Sequence, residues 1–323
     1  MSEQTTRILV IRFSSIGDIL LTAPALESLR NAVHGPCEIH FLTKTKMKPV
    51  VQGFGKLVDH IHTIENSTAE VSKSLLGLDL HYIVDLHNNV RSRSIKRTLG
   101  LIAFTVDKQN WAKWLLVRGW RTQPISHIVH RYIESFSDAF GAAMPNAWPK
   151  IFTEATHAFD LPEEYAVIAL GAAHEGKKLP DALIDSIIQH SQTPVILIGG
   201  PEEMNRGAAF QVNHPNAISL AGQTSIEESA AIIRAARQVF SGDTGMMHLA
   251  SAMGVPVTSF WGCTRPSLGM APWAPSPGSE VVVPDDLIGS RPCSKLGNRC
   301  RNQANCMEST QAVFLRNSVK EGL

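Results

Sequence analysis

No run of about 18 consecutive apolar residues occurs anywhere in the 323-residue chain, so no segment reads as a membrane-crossing helix. The N-terminal stretch MSEQTTRILVIRFSSIGD carries an acidic residue, and its apolar run is too short for a secretory signal. It reads as a buried strand entering a turn, and the expected location is the cytoplasm. Cysteine is scarce and odd in number, five in a chain that is 44% hydrophobic, which argues against a disulfide framework. Cys293, Cys300 and Cys306 cluster without a CxxC pair, so reduced thiols around a local turn are favoured over a zinc site. GxGxxG is missing after the first apolar run, which disfavours a dinucleotide fingerprint. GxxxxGK[ST], HExxH and DxD are missing too, which disfavours a P-loop and the common metal motifs.

Charge is nearly balanced overall, at +1, but not along the chain. Residues 1–155 hold 18 Lys+Arg against 13 Asp+Glu, and residues 156–323 hold 12 against 16. The first half suits an anionic partner better than the second, although an ordinary solvated surface explains the balance equally well.

What is present is a repeated alternation of strand and helix patterns. RILVIRF (7–13), CEIHFLT (37–43), HIHTI (60–64) and HYIVDL (81–86) read as strands. Helical spacing runs from Pro24 to Val33, and again after the fourth strand. The pattern restarts with strands at 164–170, 193–200, 238–243 and 255–262, and helices at 179–191, 226–236 and 246–254. The predicted architecture is α/β, with two doubly wound parallel-sheet domains at 1–155 and 156–323. The join is expected near 144–163, where Met144-Pro145, Trp148-Pro149 and Leu161-Pro162 break the pattern.

Such sheets bind ligands beyond the carboxyl ends of their strands, so the loops there carry the candidate chemistry. In Ser14-Ser15-Ile16-Gly17-Asp18 the glycine permits a tight turn, and Asp18 is either a helix cap or a general base for an acceptor hydroxyl. Gly171 to Pro180 offers small residues, a helix start and Lys177, a set that suits a diphosphate; an ordinary loop with solvated lysines fits equally. Ser241-Gly242-Asp243-Thr244-Gly245-Met246-Met247-His248 opens a helix directly after a buried strand, which is again an anion-binding geometry. There His248 and Asp243 also have plain readings, as a satisfied core residue and a cap.

In combination, these motifs resemble glycosyltransferase family 9, the ADP-heptose–lipopolysaccharide heptosyltransferases. ILVIRFSSIGDILLTAPAL resembles the family's N-terminal signature, and FSGDTGMMHLASAMGVPVTSFWGCTRP its C-terminal one. LAGQTSIEESAAII, the K-x-L-P after the second-domain strand and NCMEST also fit, so the resemblance spans about residues 7 to 310. It implies the GT-B fold, two Rossmann-like domains facing across a cleft, with acceptor bound by the first and donor by the second. The implied reaction is inverting, metal-independent transfer of heptose from ADP-heptose to a lipopolysaccharide core acceptor of the lipid A–Kdo type. No cofactor is implied beyond the nucleotide-sugar substrate, and no nucleic acid partner.

Carried over by position, Asp18 is the implied base. Lys177 and Asp243-Thr244-Gly245-Met246 would hold the diphosphate, Glu227 the ribose, and His248 would support the site. His174 stands where the family often has an aromatic, at a donor contact position. Ser15, Gly17 and Arg91 are the implied acceptor contacts, whereas Arg93, Lys96 and Arg97 read as charges that solvate a helix. Trp111, Trp114 and Trp120 lie beside basic residues. They suit either a peripheral contact with the inner membrane or packing of a helix on its own domain. Alternatives are a GT-B enzyme with another nucleotide sugar and another surface glycan, a sugar-nucleotide epimerase, and a silent nucleotide-binding member.

Overall fold

A computed structural model describes residues 5–284, 292–298 and 306–321. The chain forms two compact units. One comprises Met1–Lys108 and Ile128–Glu154, the other Gln109–His127 and Ala155–Leu323. From the sequence all of 1–155 was expected in one domain; here Gln109–His127 groups with the second unit.

The first unit is built on five parallel strands: β1 (Thr6–Ile11), β2 (Cys37–Lys44), β3 (His60–Ile64), β4 (Tyr82–Asp85) and β5 (Ile102–Thr105). Their order is β3-β2-β1-β4-β5. The central strands are apolar without alternation because helices cover both faces. Leu9, Ile11, Leu42 and Ile83 pack with Val71 and Leu75 of the helix Ala69–Leu76 and with Ile95 of the helix Val90–Leu99.

The second unit repeats the plan with six strands: β6 (Ala166–Ala169), β7 (Val195–Ile198), β8 (Ala217–Ser219), β9 (Gln238–Gly242), β10 (Val257–Phe260) and β11 (Glu280–Val282). All pairings are parallel, in the order β11-β10-β9-β6-β7-β8. Every residue of β6, β7 and β10 is buried. Ile168, Leu197, Phe240 and Phe260 form the core with Leu183, Ile184, Ile187 and Phe314.

The inserted segment docks on the second unit by specific contacts. Leu116 of the helix Asn110–Arg118 packs with Ile125 and Leu268. The Ile125 N–H donates to the Ser267 carbonyl at 3.0 Å. Of the tryptophans on this segment, Trp111 and Trp120 are each 70% exposed.

In both sheets the chain reverses its direction of growth at the centre, between β1 and β4 and between β6 and β9. The loops leaving those four strands are where this fold class places ligands.

Candidate active site

In the first unit, β1 delivers Arg12 and then the loop to Asp18. The short helix Ile16–Leu20 starts there because the Ser15 backbone N–H and hydroxyl both donate to Asp18 Oδ2, at 3.2 and 2.8 Å. Asp18 thus takes part in capping, as one sequence reading expects, but from the third helical position, with Ser15 as the cap residue itself. Its other oxygen accepts from Arg12 Nη2 at 2.7 Å. Arg12 is buried, and its remaining donors go to the carbonyls of Ser14 and Leu86, at 2.8 and 2.7 Å. Burial opposes the Arg12 charge, but Asp18, helped by Tyr132 and Asp85, holds the guanidinium above its ordinary pKa.

Asp18 keeps 24% of its side chain exposed, so one flank of the carboxylate faces outward. A fixed, charged, partly open carboxylate can accept a proton from a hydroxyl placed against it. Of the acceptor residues expected in this loop, Ser15 is exposed and Gly17 is buried inside the turn.

The neighbouring loop, after β4, is organised by a fully buried acid. Asp85 accepts from the backbone N–H groups of His87 and Asn88 at 3.0 and 2.7 Å, and from the Ser92 hydroxyl at 2.8 Å. Lys96 Nζ lies 2.9 Å from Oδ2, the oxygen that also takes the Ser92 hydroxyl, while the two backbone N–H groups go to Oδ1. Lys96 is therefore the counter-ion of a buried carboxylate, whereas the sequence reading placed it among solvating charges. His87 packs edge-on to Phe13 and accepts from the Phe13 N–H at 3.4 Å. Burial first, then Arg12 and Lys108, push its pKa down to about 3, so His87 is neutral beside Asp18. Arg91 is exposed on the helix Val90–Leu99 and is available to an anionic ligand.

In the second unit the two loops at the switch point meet. Lys177 Nζ lies 2.6 Å from Asp243 Oδ2, joining the loop after β6 to the loop after β9. Asp243 is buried, and Lys177 keeps 20% of its side chain exposed. Thr244 precedes the helix Gly245–Ala252 and shares a hydrogen bond of 2.9 Å with the Ser241 hydroxyl. Gly245 and Met246 open that helix half-buried, just after the acid that pairs with Lys177. His248 is buried on the same helix, 2% exposed, and His174 is half-buried at the start of the lysine loop.

Two glycines make this approach possible. A Cβ on Gly242 would overlap the Lys177 carbonyl oxygen, and one on Gly297 would come within 2.9 Å of Lys177 Cγ. Gly297 also sits at φ +78°, where side chains are strained. The Gly297 carbonyl accepts from the Gly176 N–H at 3.2 Å, so the turn at 292–298 braces the lysine loop. Cys263, Cys293 and Cys306 lie buried together next to that brace, and Cys293 Sγ is 4.0 Å from Cys306 Sγ. Cys300 lies outside the described residues.

Glu227 stands exposed in the first turn of the helix Ile226–Ala235. The reciprocal cap of that helix is made by its neighbour: the Ser225 N–H donates to Glu228 Oε2 at 2.8 Å, and the Glu228 N–H to Ser225 Oγ at 3.1 Å. Capping therefore does not account for Glu227. Arg12, His87 and Gly297 are the site residues to which sequence reasoning gave no role. Only Arg12 leaves a trace there, as a charge next to the end of an apolar strand.

Two Rossmann-like parallel sheets, each with polar loops at its switch point, are the GT-B architecture of nucleotide-sugar glycosyltransferases. A solved glycosyltransferase family 9 protein from Veillonella parvula superposes with a TM-score of 0.74 at 17% identity, over 99% of this chain and 98% of that one. The E. coli heptosyltransferase WaaC, solved with ADP, gives a TM-score of 0.68 at 20% identity, over 98% and 100%. The chain belongs to glycosyltransferase family 9 (heptosyltransferase), whose model matches residues 69–282. Two curated relatives are similar over most of their length. Lipopolysaccharide heptosyltransferase 1 of Salmonella typhimurium is 24% identical over 81% of this chain and 90% of the relative. The Pseudomonas aeruginosa protein of the same name is 23% identical over 80% and 79%. The chain is thus an enzyme of the glycosyltransferase class.

Proposed function

We propose that this enzyme transfers heptose from ADP-heptose to the lipopolysaccharide core, on an acceptor of the lipid A–Kdo type, with inversion and without a metal ion. The observation that carries the reading is the Lys177–Asp243 pair, at 2.6 Å, set beside the start of the helix Gly245–Ala252 at the switch point of the second sheet. A fixed cation and free helix N–H groups match a diphosphate. The two heptosyltransferase relatives and the ADP-bound WaaC fold support the choice of nucleotide and sugar.

In the proposed reaction the acceptor hydroxyl gives its proton to Asp18. Its oxygen bonds to the anomeric carbon as the carbon–oxygen bond to the diphosphate breaks, and ADP leaves. Negative charge grows on the leaving oxygen, where Lys177 and the N–H groups of Thr244, Gly245 and Met246 stabilise it; an interaction that strengthens toward the transition state is catalytic. Glu227 binds the ribose, and His174 and His248 complete the donor pocket. Ser15, Gly17 and Arg91 hold the anionic acceptor.

The acceptor is a glycolipid, so the enzyme works peripherally on the cytoplasmic face of the inner membrane. Trp111 and Trp114 stack at 4.9 Å, Arg118 lies 5.4 Å over Trp114, and Trp111 and Trp120 are each 70% exposed. Aromatic rings with a cation suit the headgroup region. No helix among the described residues is long and apolar enough to cross a membrane.

Melting the protein in ADP, UDP or GDP without metal tests the donor assignment, because a ligand of the native state raises the midpoint. Selective stabilisation by ADP is expected. Selective stabilisation by UDP or GDP replaces the donor, and no shift with any of the three overturns the diphosphate site.

A further inference from the structure

Away from every residue assigned to transfer, the outer edge of the first sheet gathers imidazoles and a carboxylate on one face. β2 and β3 pair in parallel with His40 opposite His60 and Leu42 opposite His62. Residues two apart on a strand point to the same side, so Glu38, His40, His60 and His62 share a face. The ligand atoms of Glu38, His40 and His60 all lie within 4.8 Å of one another.

His40 is the centre of the group and is only 3% exposed. Its Nδ1 is 3.0 Å from His62 Nε2. Its Nε2 is buried without a hydrogen-bond partner, 3.9 Å from Glu38 Oε2. A buried polar atom without a partner is costly and asks for a ligand.

We propose that Glu38, His40 and His60 form a binding site for a divalent transition ion of the zinc class. The donor set is two neutral imidazoles and one carboxylate, a combination that zinc accepts in four-coordinate sites, with water in the remaining position. Zinc bonds of about 2.0–2.2 Å place tetrahedral ligand atoms about 3.4 Å apart. The present separations close to that range by small side-chain movements. His60, stacked on His40 at 4.5 Å between ring centroids, is exposed and free to tilt.

His62 is the positioning residue. With Nδ1–H of His40 donating to His62 Nε2, the tautomer is fixed and Nε2 of His40 is presented to the ion, the usual outer-shell arrangement around a ligating histidine. Glu38 now pairs with Arg7 at 2.8 Å. Arg7 has a second partner in Asp79 at 3.4 Å, so releasing Glu38 to the ion does not leave the guanidinium unpaired. The bound ion would tie β3, which among the described strands pairs with β2 alone, to the rest of the sheet.

The test uses the full-length protein, stripped with a chelator and desalted. Zn²⁺ binding is followed by equilibrium dialysis, and Co²⁺ binding by absorption spectroscopy. One ion per chain is expected, with the visible bands of low-coordinate cobalt and no thiolate charge-transfer band. His62→Ala should weaken binding by about 10–100-fold. His60→Ala, an exposed change whose fold is checked by melting, should weaken it further. Cys293→Ser should leave it unchanged, which separates this site from the buried thiols. Binding that survives His60→Ala, or that shows a thiolate band lost in Cys293→Ser, overturns the proposal, as does no stoichiometric binding by the native chain.

Discussion

At the scale of single residues, the candidate loops of each unit rest on an ion pair, and the two pairs differ in solvent access. Asp18 is 24% exposed against an Arg12 that is almost wholly enclosed, whereas Lys177 is 20% exposed against an enclosed Asp243. In the first the carboxylate faces outward, and in the second the ammonium does, as the proposed proton acceptance and anion binding respectively require. Asp18→Asn keeps a hydrogen-bond acceptor for Ser15 but removes the proton acceptor. Turnover should fall by about 10²–10⁴-fold, while ADP still raises the melting midpoint by the native amount. Unchanged turnover would remove Asp18 from the mechanism. Arg12→Met should lower stability by about 3–5 kcal/mol, because it leaves a carboxylate without its buried partner; chemical denaturation measures it. Asp18 was legible in the sequence because a Gly-Asp turn after an apolar strand signals a loop at a sheet end. Arg12 and Lys96 were not, because their partners lie on other elements and only the fold joins them.

At the scale of elements, most strands and helices followed from apolar periodicity. HIHTI is β3, residue for residue, and the helix expected at 226–236 is Ile226–Ala235. β5, β8 and β11 escaped notice. They have four, three and three residues and each is partly exposed, and even where apolar residues mark them, as at 101–104 and 281–283, the run is too short to tell a strand from a loop. The helix Ile226–Ala235 permits a clean division of roles. Ser225→Ala should cost about 1 kcal/mol by removing the cap, with ADP affinity retained. Glu227→Ala should leave the melting midpoint in place and weaken ADP; the reverse pattern would end the ribose assignment. Gly242→Ala should destabilise the second unit by about 1–3 kcal/mol and weaken ADP as well, because the added carbon displaces the backbone of Lys177. Calorimetric titration with ADP reads both effects.

At the scale of the whole molecule, histidines that the fold keeps neutral contribute to acid stability. Burial first, then His60 and His62 and to a smaller extent Arg7, lowers His40 to about 4, and Glu38 alone of the named groups opposes the shift. Burial, with Arg12 and Lys108, lowers His87 to about 3, while Asp18 and Asp85 oppose the shift. In both cases the unfolded chain binds the proton more readily than the folded one. Their contribution is complete above the ordinary histidine value of 6.5 and is lost as pH falls from there toward about 4 and about 3. Urea midpoints should therefore drop between pH 6.5 and 4, and His87→Gln should reduce the drop. An unchanged slope in that variant would mean that His87 is not a source of it.

The excursion of Gln109–His127 gives the chain a threading that a simple two-domain reading lacks. The backbone passes between units three times: into the second before residue 109, back at 128, and over again at 155. No single scission separates two complete halves. A fragment ending at 154 carries Leu116 and Ile125 but lacks Leu268, so it exposes an apolar surface and clumps. Residues 155–323 alone lack the piece that covers Leu268. Protease nicks should accordingly leave the two pieces associated on a native gel, and the gene should resist division into independently expressed parts unless residues 109–127 are supplied to the second.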